Sequence, residues 1–144
     1  MSEQSESSSA SAPRCIFTEK APKPVGHYCQ ATVAGGLVFV SGQGGLVPPE
    51  NRMVPGGAGA QAEQALKNIS AILLAAGSSM RHVTRVTIYY TDLDRDKDEV
   101  NKAYAKAFDF RDGYKPARMV FQVAKQPIPD ALVSIDAIAV VADD

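Results

Sequence analysis

The amino-acid sequence predicts an α+β fold in which a single sheet carries two helices on one face. Two stretches, residues 60–76 and 97–108, place apolar residues at helical spacing. Runs rich in β-branched and aromatic residues lie before, between and after them. The resulting order, β-β-α-β-α-β-β, fits one sheet with both helices on the same side.

The chain is expected to form one domain over residues 15–144, preceded by a disordered tail over residues 1–14. Its 144 residues are 45% hydrophobic, which suffices for a single core. The first 13 residues are almost all Ser, Ala, Glu and Gln and lack the apolar run of a secretory signal. Glu3 and Glu6 are atypical of a mitochondrial transit peptide. We therefore expect a cytoplasmic protein rather than a mitochondrial one.

Charge and cysteine content exclude several classes of function. The formal net charge is −1, from 15 basic and 16 acidic residues, which gives no general attraction for nucleic acid or an anionic membrane. Every apolar run is far shorter than a membrane span. Cys15 and Cys29 are too few for a disulfide framework and lack metal-ligand spacing, so we interpret them as structural thiols.

The first half of the chain predicts mainly strand and loop. Residues 15–17 suggest a short strand. The runs at 30–33 and 37–41, joined by small residues that include two glycines, predict a hairpin. Residues 42–59 are rich in Gly and Pro and predict a loop, with a weak strand near 53–54.

The second half of the chain predicts both helices and the remaining strands. The helix over 60–76 ends at Gly77, a residue typical of helix C-termini. The other predicted elements are a strand over 83–91, a helix over 97–108, and strands over 117–124 and 132–141, the last two separated by a turn containing Pro127 and Pro129.

Side-chain alternation assigns faces to the last two strands. We assign Met119, Phe121 and Val123 to the face under the helices, and Arg118, Val120 and Gln122 to the opposite one. In the final strand Val133 and the residues two apart from it are assigned to the core. The non-core faces mix apolar with polar residues, which is unusual for a sheet face open to water. This favours burial against further copies of the chain in a closed homo-oligomer.

Several segments, taken together and in order over residues 16–141, resemble the RidA/YjgF family. They are TEKAP at 18–22, GHYCQA at 26–31, VSGQ at 40–43, the helix segments 61–68, 75–77 and 100–104, and the C-terminal hairpin segments KPAR at 115–118, QVA at 122–124 and IDAIA at 135–139. The resemblance implies a chorismate-mutase-like fold and a homotrimer with clefts between subunits. It also implies hydrolytic deamination of small reactive 2-imino or enamine acids to 2-keto acids and ammonia, without cofactor or metal. Older labels of the family are endoribonuclease L-PSP and translation inhibitor.

The resemblance assigns the catalytic roles to Arg118, Tyr28 and Ser134. A guanidinium offers a planar fork that pairs both oxygens of a carboxylate, which suits Arg118 to a 2-imino or 2-keto acid. The alternative for Arg118 is an interface salt bridge. Tyr28 matches an aromatic residue that lines the cleft, and its alternative is packing on the sheet. His27, in place of the family's usual proline, is interpreted as a loop residue.

The remaining predicted substrate-binding residues are Ser41, Gly42, Gln43, Asn101, Ala117 and Val120. Glycine permits close approach of a ligand to the backbone, and Asn101 could instead cap a helix. Val120 replaces a frequent cysteine and makes the cleft more apolar.

One departure from the family bears directly on catalysis. Ser134 stands where many deaminating members carry a glutamate that activates water, and a serine holds a water but is no general base by itself. Asp136, on the same strand face, is a candidate substitute.

Three functions follow, in order of preference. The first is a deaminase of 2-imino acids. The second is a non-catalytic trimer that binds 2-keto acids or protein partners. The third is a ribonuclease or translation inhibitor, for which the small cluster Arg81, His82 and Arg85 offers little phosphate-binding charge.

Overall fold

A computed structural model describes residues 12–142 and shows two helices packed on one face of a mixed sheet. The elements are β1 (Arg14–Ile16), β2 (Ala31–Ala34), β3 (Leu37–Gln43), β4 (Leu46–Val47), β5 (Arg52–Met53), α1 (Gly57–Ala75), a 3-10 turn (Met80–His82), β6 (Val83–Tyr90), α2 (Leu93–Ala107), β7 (Ala117–Gln122) and β8 (Val133–Val140). The six-stranded sheet has the order β1-β2-β3-β8-β6-β7, and β4 pairs with β5 in a separate two-stranded sheet. Most of the predicted tail lies outside the described residues.

The predicted fold class is confirmed, and so are most of its elements. Gly35 and Gly36 both have positive φ and form a two-residue turn between Ala34 and Leu37, which pair with each other. Such a turn matches the twist of an antiparallel pair. Gly77 also has positive φ and follows α1, where the Ser78 N–H bonds the Leu73 carbonyl, so the predicted helix end is confirmed.

The core lies between α1 and the centre of the sheet. Val133, Ile135, Ala137 and Ala139 of β8 are buried there, as predicted. Their main partners on α1 are fully buried apolar residues at helical spacing: Leu66, Ile69, Ile72 and Leu73. Burial of this stripe is what fixes the helix on the sheet. Within the described residues, no helix is long and apolar enough to cross a membrane.

The second helix begins four residues earlier than predicted. The Asp92 side chain accepts a hydrogen bond from the Arg95 backbone N–H and caps the helix. Asp94 and Asp96 lie in its first turn, where negative charge is favoured by the helix dipole. The charged residues 94–98 are therefore part of the helix. Asp92 followed by acidic residues is a typical sequence signal for this helix start, which the prediction overlooked.

The prediction of a C-terminal hairpin was wrong. Within residues 12–142, β7 pairs only with β6, in parallel, while β8 pairs with β3 and β6, so β6 separates the two final strands. The sequence order of the strands suggested that β7 and β8 are neighbours in the sheet. Instead, α2 connects β6 to β7 as a parallel pair, which places β7 at the edge of the sheet.

The face assignment in β7 was also wrong. Met119 and Phe121 are exposed at 44% and 47%, whereas Val120 packs against the core. Arg118 pairs in register with the fully buried Val86 and lies on the helix side of the sheet. The open face is nonetheless partly apolar, through other residues: Phe39, Met119, Phe121 and Val140 are all exposed.

The segment between β1 and β2 is tied down at several points. Cys15 and Cys29 form a disulfide with Cα atoms 5.6 Å apart, so the interpretation as structural thiols was wrong. The register of β1 and β2 places Cys15 opposite Thr32, and the chain just before β2 brings Cys29 back to Cys15, which their spacing in the sequence did not indicate. The buried Gln30 side chain donates to the carbonyls of Thr18 and Pro22, both at 3.0 Å, and accepts from the Thr18 N–H at 2.7 Å.

Replacing Gln30 with alanine should lower the free energy of unfolding by roughly 2–4 kcal/mol, because the main-chain groups of Thr18 and Pro22 lose their partners. Urea denaturation with the disulfide intact measures it. The control is Gln64→Ala, which removes one side-chain hydrogen bond to Asn68 and should cost under about 1 kcal/mol. Equal losses for the two variants would contradict the assigned role of Gln30.

Candidate functional site

Arg118 is held by two residues of α2. Its Nη1 donates to the Asn101 Oδ1 at 3.1 Å, and its Cζ lies 4.7 Å from the centroid of the Tyr104 ring. Among residues 12–142 it forms no ion pair. The guanidinium is therefore oriented but keeps donors and charge that an anion can use. Asn101, predicted to lie near the ligand, lines the groove and contacts Arg118.

The groove around Arg118 lies between α2 and the segment leading into β7. Its volume is about 710 Å³. Aromatic rings and cations line it, among them Tyr104, Phe110, Tyr114 and Lys115. Ala117 is exposed next to Arg118 at the start of β7. Val120 lies two residues after Arg118, on the same face of the sheet as Arg118. Lys106, Lys115 and Arg118 give the groove positive charge, and Asp109 contributes one carboxylate.

Tyr28 belongs to a second cluster. It is 47% exposed, and its hydroxyl accepts a hydrogen bond from the Val25 N–H at 3.2 Å. The Ser41 hydroxyl donates to the Cys29 carbonyl at 2.7 Å, and the Ser41 N–H to the Gln30 carbonyl at 2.9 Å. These bonds join the Tyr28 segment to β3.

A bulge in β3 shapes the floor of this second cluster. The pairing of β3 with β8 shifts register between Val40 and Gln43, and such bulges commonly re-aim residues beside binding sites. At Gly42 a Cβ would meet nothing within 4 Å, so its backbone faces open space. Gln43 is buried, and its side chain donates to the Ser41 carbonyl at 3.3 Å. Gln43 therefore supports the bulge, and it also lines a small space beside Tyr28 and Gly42.

Ser134 lies beside Tyr28 and Gly42, and together they line a pocket of about 220 Å³. The Ser134 hydroxyl donates to the Gln126 Oε1 at 3.0 Å, and the Gln126 Nε2 donates to the Tyr89 carbonyl at 3.0 Å. Gln126 is a pocket residue that sequence reasoning missed. The reversal of the chain between β7 and β8 brings it back to Ser134, and no local motif marks that contact.

Asp136 shares the open face with Ser134. Its Oδ2 accepts a hydrogen bond from the Tyr89 hydroxyl at 3.1 Å. Burial, and then the neighbouring Asp136 carboxylate, raise the pKa of Tyr89 above its ordinary value. Tyr89 therefore stays a hydrogen-bond donor to Asp136 at neutral pH, which occupies one of the two carboxylate oxygens.

The predicted site residues thus fall into two groups on one chain. Arg118 and Asn101 lie on the helix side of the sheet, at the β7 edge. Tyr28, Gly42 and Ser134 line a pocket elsewhere, with Ser134 on the open face. No cluster of three or more His, Cys, Asp or Glu side chains able to hold a metal ion occurs in the described part of the chain.

The chain is similar to a known protein family in both sequence and structure. The family model described as Endoribonuclease L-PSP matches residues 18–141. A RutC family protein of Pyrococcus horikoshii is 44% identical over 86% of this chain and 94% of its own length. The 2-iminobutanoate/2-iminopropanoate deaminase of Rattus norvegicus is 40% identical over 88% of this chain and 89% of its own. The crystal structure of E. coli TdcF with bound serine superposes with a TM-score of 0.82 at 36% identity, covering 90% of this chain and 99% of that one.

Replacing Asp136 with asparagine should lower the pKa of Tyr89 toward the ordinary tyrosine value, because the negative charge that disfavours the phenolate is removed. Burial should keep it above that value. An NMR titration with ¹³C-labelled tyrosine measures it. As a control, Asp112→Asn changes a carboxylate paired with Arg81 and should leave Tyr89 unaffected. An unchanged Tyr89 titration in Asp136→Asn would show that the carboxylate does not act on the phenol.

Proposed function

The chain belongs to the endoribonuclease L-PSP family, also called RidA/YjgF, and from this membership we propose that it hydrolyses small 2-imino acids to 2-keto acids and ammonia. The observation that carries the proposal is Arg118, whose guanidinium is oriented by α2 and has no carboxylate partner among the described residues. The similarity to a 2-iminobutanoate/2-iminopropanoate deaminase supports the same substrate class.

Arg118 would bind the carboxylate of the substrate. The Asn101 Oδ1 takes up one of its Nη atoms, which leaves other N–H donors of the fork for two carboxylate oxygens. The nearby Val120 would contact the side chain of the substrate and favours an apolar one.

The imine group would lie against the second cluster. Tyr28, the Gly42 backbone and Ser134 line one pocket with Gln126. The Ser134 hydroxyl is a donor to Gln126, so its lone pairs remain to accept from a water. In this arrangement the protein positions the imine carbon and the attacking water. Neither Ser134 nor Gln126 has an ionisable side chain, so neither accepts a proton from that water.

Little stabilisation of the transition state is needed for this chemistry. Water forms a C–O bond to the carbon of the protonated imine and loses a proton to solvent, which gives a tetrahedral adduct with a hydroxyl and an amino group. The amino nitrogen then takes a proton from solvent, the hydroxyl gives its proton to solvent, and the C–N bond breaks to release ammonia as the keto group forms. Imines undergo this reaction readily without a catalyst, so correct positioning supplies a useful rate enhancement.

A complete cleft in this proposal needs two copies of the chain. Arg118 and Ser134 lie on opposite faces of the sheet, so one subunit would provide the Arg118 group and its neighbour the Tyr28 group. A homotrimer offers such clefts around a closed ring. The exposed Phe39, Met119, Phe121 and Val140 provide apolar surface for the contact between subunits.

The ribonuclease named by the family description is less well supported. Arg81 is paired with Asp112 and lies over the Tyr114 ring at 4.1 Å, and His82 is bonded to the Ser79 hydroxyl through Nδ1. These residues are engaged within the chain and are not a free phosphate-binding cluster.

Subunit complementation tests the shared cleft. Arg118→Ala should weaken 2-ketobutanoate binding roughly tenfold or more, through loss of a bidentate charged hydrogen bond. Tyr28→Ala should impair imine hydrolysis from the other side. If neighbouring subunits share each cleft, random co-assembly of the two variants should restore about a quarter of the wild-type sites in a trimer.

Hydrolysis of 2-iminobutanoate generated in situ measures the restored activity, and sedimentation measures the oligomer. Mixtures of each variant with itself are the controls. A monomer at micromolar concentration, or no restoration by an intact trimer, would contradict the shared cleft. Keto-acid binding without hydrolysis by the wild type would establish the non-catalytic alternative.

Ser134→Glu should raise the rate of imine hydrolysis roughly tenfold or more, because a positioned general base typically contributes at least that much. Ser134→Gln is the matched control, since it has a similar volume and no basic oxygen. Equal rates for Glu and Gln would show that position 134 takes no part in proton transfer in this chain. A roughly tenfold or greater fall in the rate of imine hydrolysis in the Asp136→Asn variant would assign proton transfer to Asp136.

A further inference from the structure

The contact between Arg118 and Tyr104 suggests a role for a residue outside the predicted site. The guanidinium carbon lies 4.7 Å from the centroid of the Tyr104 ring. Asn101, one helical turn earlier on α2, accepts from the Arg118 Nη1. One turn of helix therefore contacts both an edge and a face of the guanidinium, which constrains its orientation more than either contact would alone.

The Tyr104 ring is itself fixed. It packs against Phe108, with centroids 4.7 Å apart and ring planes tilted by 42°, and it lies partly buried against the core. Phe108 in turn is 5% exposed and contacts Phe110 edge to face. The ring that faces Arg118 thus belongs to an ordered aromatic row and is not a mobile surface side chain.

The hydroxyl of Tyr104 is not what this arrangement uses. It is buried and has no hydrogen-bond partner within the described residues. Burial raises the pKa of Tyr104, and the positive charge of Arg118 only partly opposes this, so the phenol stays neutral at physiological pH. Tyr104 therefore presents the face of its ring to Arg118, and the hydroxyl adds a desolvation cost without a compensating bond.

We infer that Tyr104 is a positioning residue that holds the Arg118 guanidinium ready for a carboxylate. The inference rests on the proposed function, in which Arg118 binds that carboxylate. Arginine on an exposed edge strand would otherwise sample many rotamers, and ordering them on binding would weaken the affinity. A guanidinium that is already fixed loses little rotamer entropy on binding, so more of the free energy of its charged hydrogen bond to the carboxylate contributes to the affinity.

The test compares Tyr104→Phe, which keeps the ring, with Tyr104→Leu, which removes it. The first readout needs no ligand: the Nε–Hε signal of Arg118 in ¹⁵N NMR, displaced upfield by the ring below it and identified by its loss in Arg118→Ala. The displacement should persist in Tyr104→Phe and disappear in Tyr104→Leu. The second readout is the dissociation constant for 2-ketobutanoate, expected to be unchanged in Tyr104→Phe and roughly 3- to 30-fold higher in Tyr104→Leu.

Two comparisons separate positioning from a general structural effect. Tyr114→Leu makes the same change in the same groove, but the Tyr114 ring lies over Arg81, 4.1 Å away, so the ligand-free Arg118 signal should stay displaced as in the wild type. In the Arg118→Ala background, Tyr104→Leu should weaken the residual binding no further, because Tyr104 acts through Arg118.

The outcomes are distinguishable. Intact keto-acid binding with equal affinities for the wild type and Tyr104→Leu would overturn the inference while leaving the proposed function standing. An affinity of Tyr104→Phe as low as that of Tyr104→Leu would also overturn it, since the hydroxyl would then matter. No keto-acid binding by the wild type, with the displaced Arg118 signal present, would overturn the proposed function and with it any role of Tyr104 in binding.

Discussion

The position of Arg118 depends on one backbone constraint, the parallel pairing of β7 with β6. Parallel neighbours cannot be joined by a tight turn, so the chain crosses over the sheet as α2 between them. The crossover seats α2 above the sheet edge, where Arg118, in register with the buried Val86, meets Asn101 and Tyr104. A slip of one residue in this register would turn Arg118 to the opposite face and separate it from both contacts.

Buried side-chain amides hold the loops around the other cluster. Gln30 pairs with main-chain groups of Thr18 and Pro22, and Gln61 pairs with those of Asp130 and Leu132. Asn68 does the same for Gly44 and Leu46. Loop main chain near a core needs such partners, since unpaired buried polar groups are costly. The pocket of Tyr28, Gly42 and Ser134 is thereby built on ordered backbone, although much of it is loop.

The two clusters have different physical characters, and this bears on the proposed chemistry. The Arg118 groove supplies positive charge and aromatic surface, whereas the Tyr28 pocket supplies hydroxyl, amide and backbone groups. An imino acid has two chemically different ends that match them: a carboxylate for the Arg118 groove, and a neutral or protonated C=N bond for the Tyr28 pocket. Because the clusters lie on different faces of one chain, the proposal makes assembly a part of the active site, and the apolar residues of the open face give that assembly a driving force.

The fold class, both helices, the Gly35-Gly36 turn and the Gly77 helix end could be predicted from the sequence because each depends on local periodicity or turn chemistry. The position of β7, the face on which Arg118 lies, the Cys15–Cys29 disulfide and the Ser134–Gln126 contact could not. Each of these results from strand order and from loops that return to distant residues, which local patterns leave open. The residue types at the candidate site were thus determined by the sequence. Only tertiary structure decided their partners, because long-range pairing sets which side chains share a face.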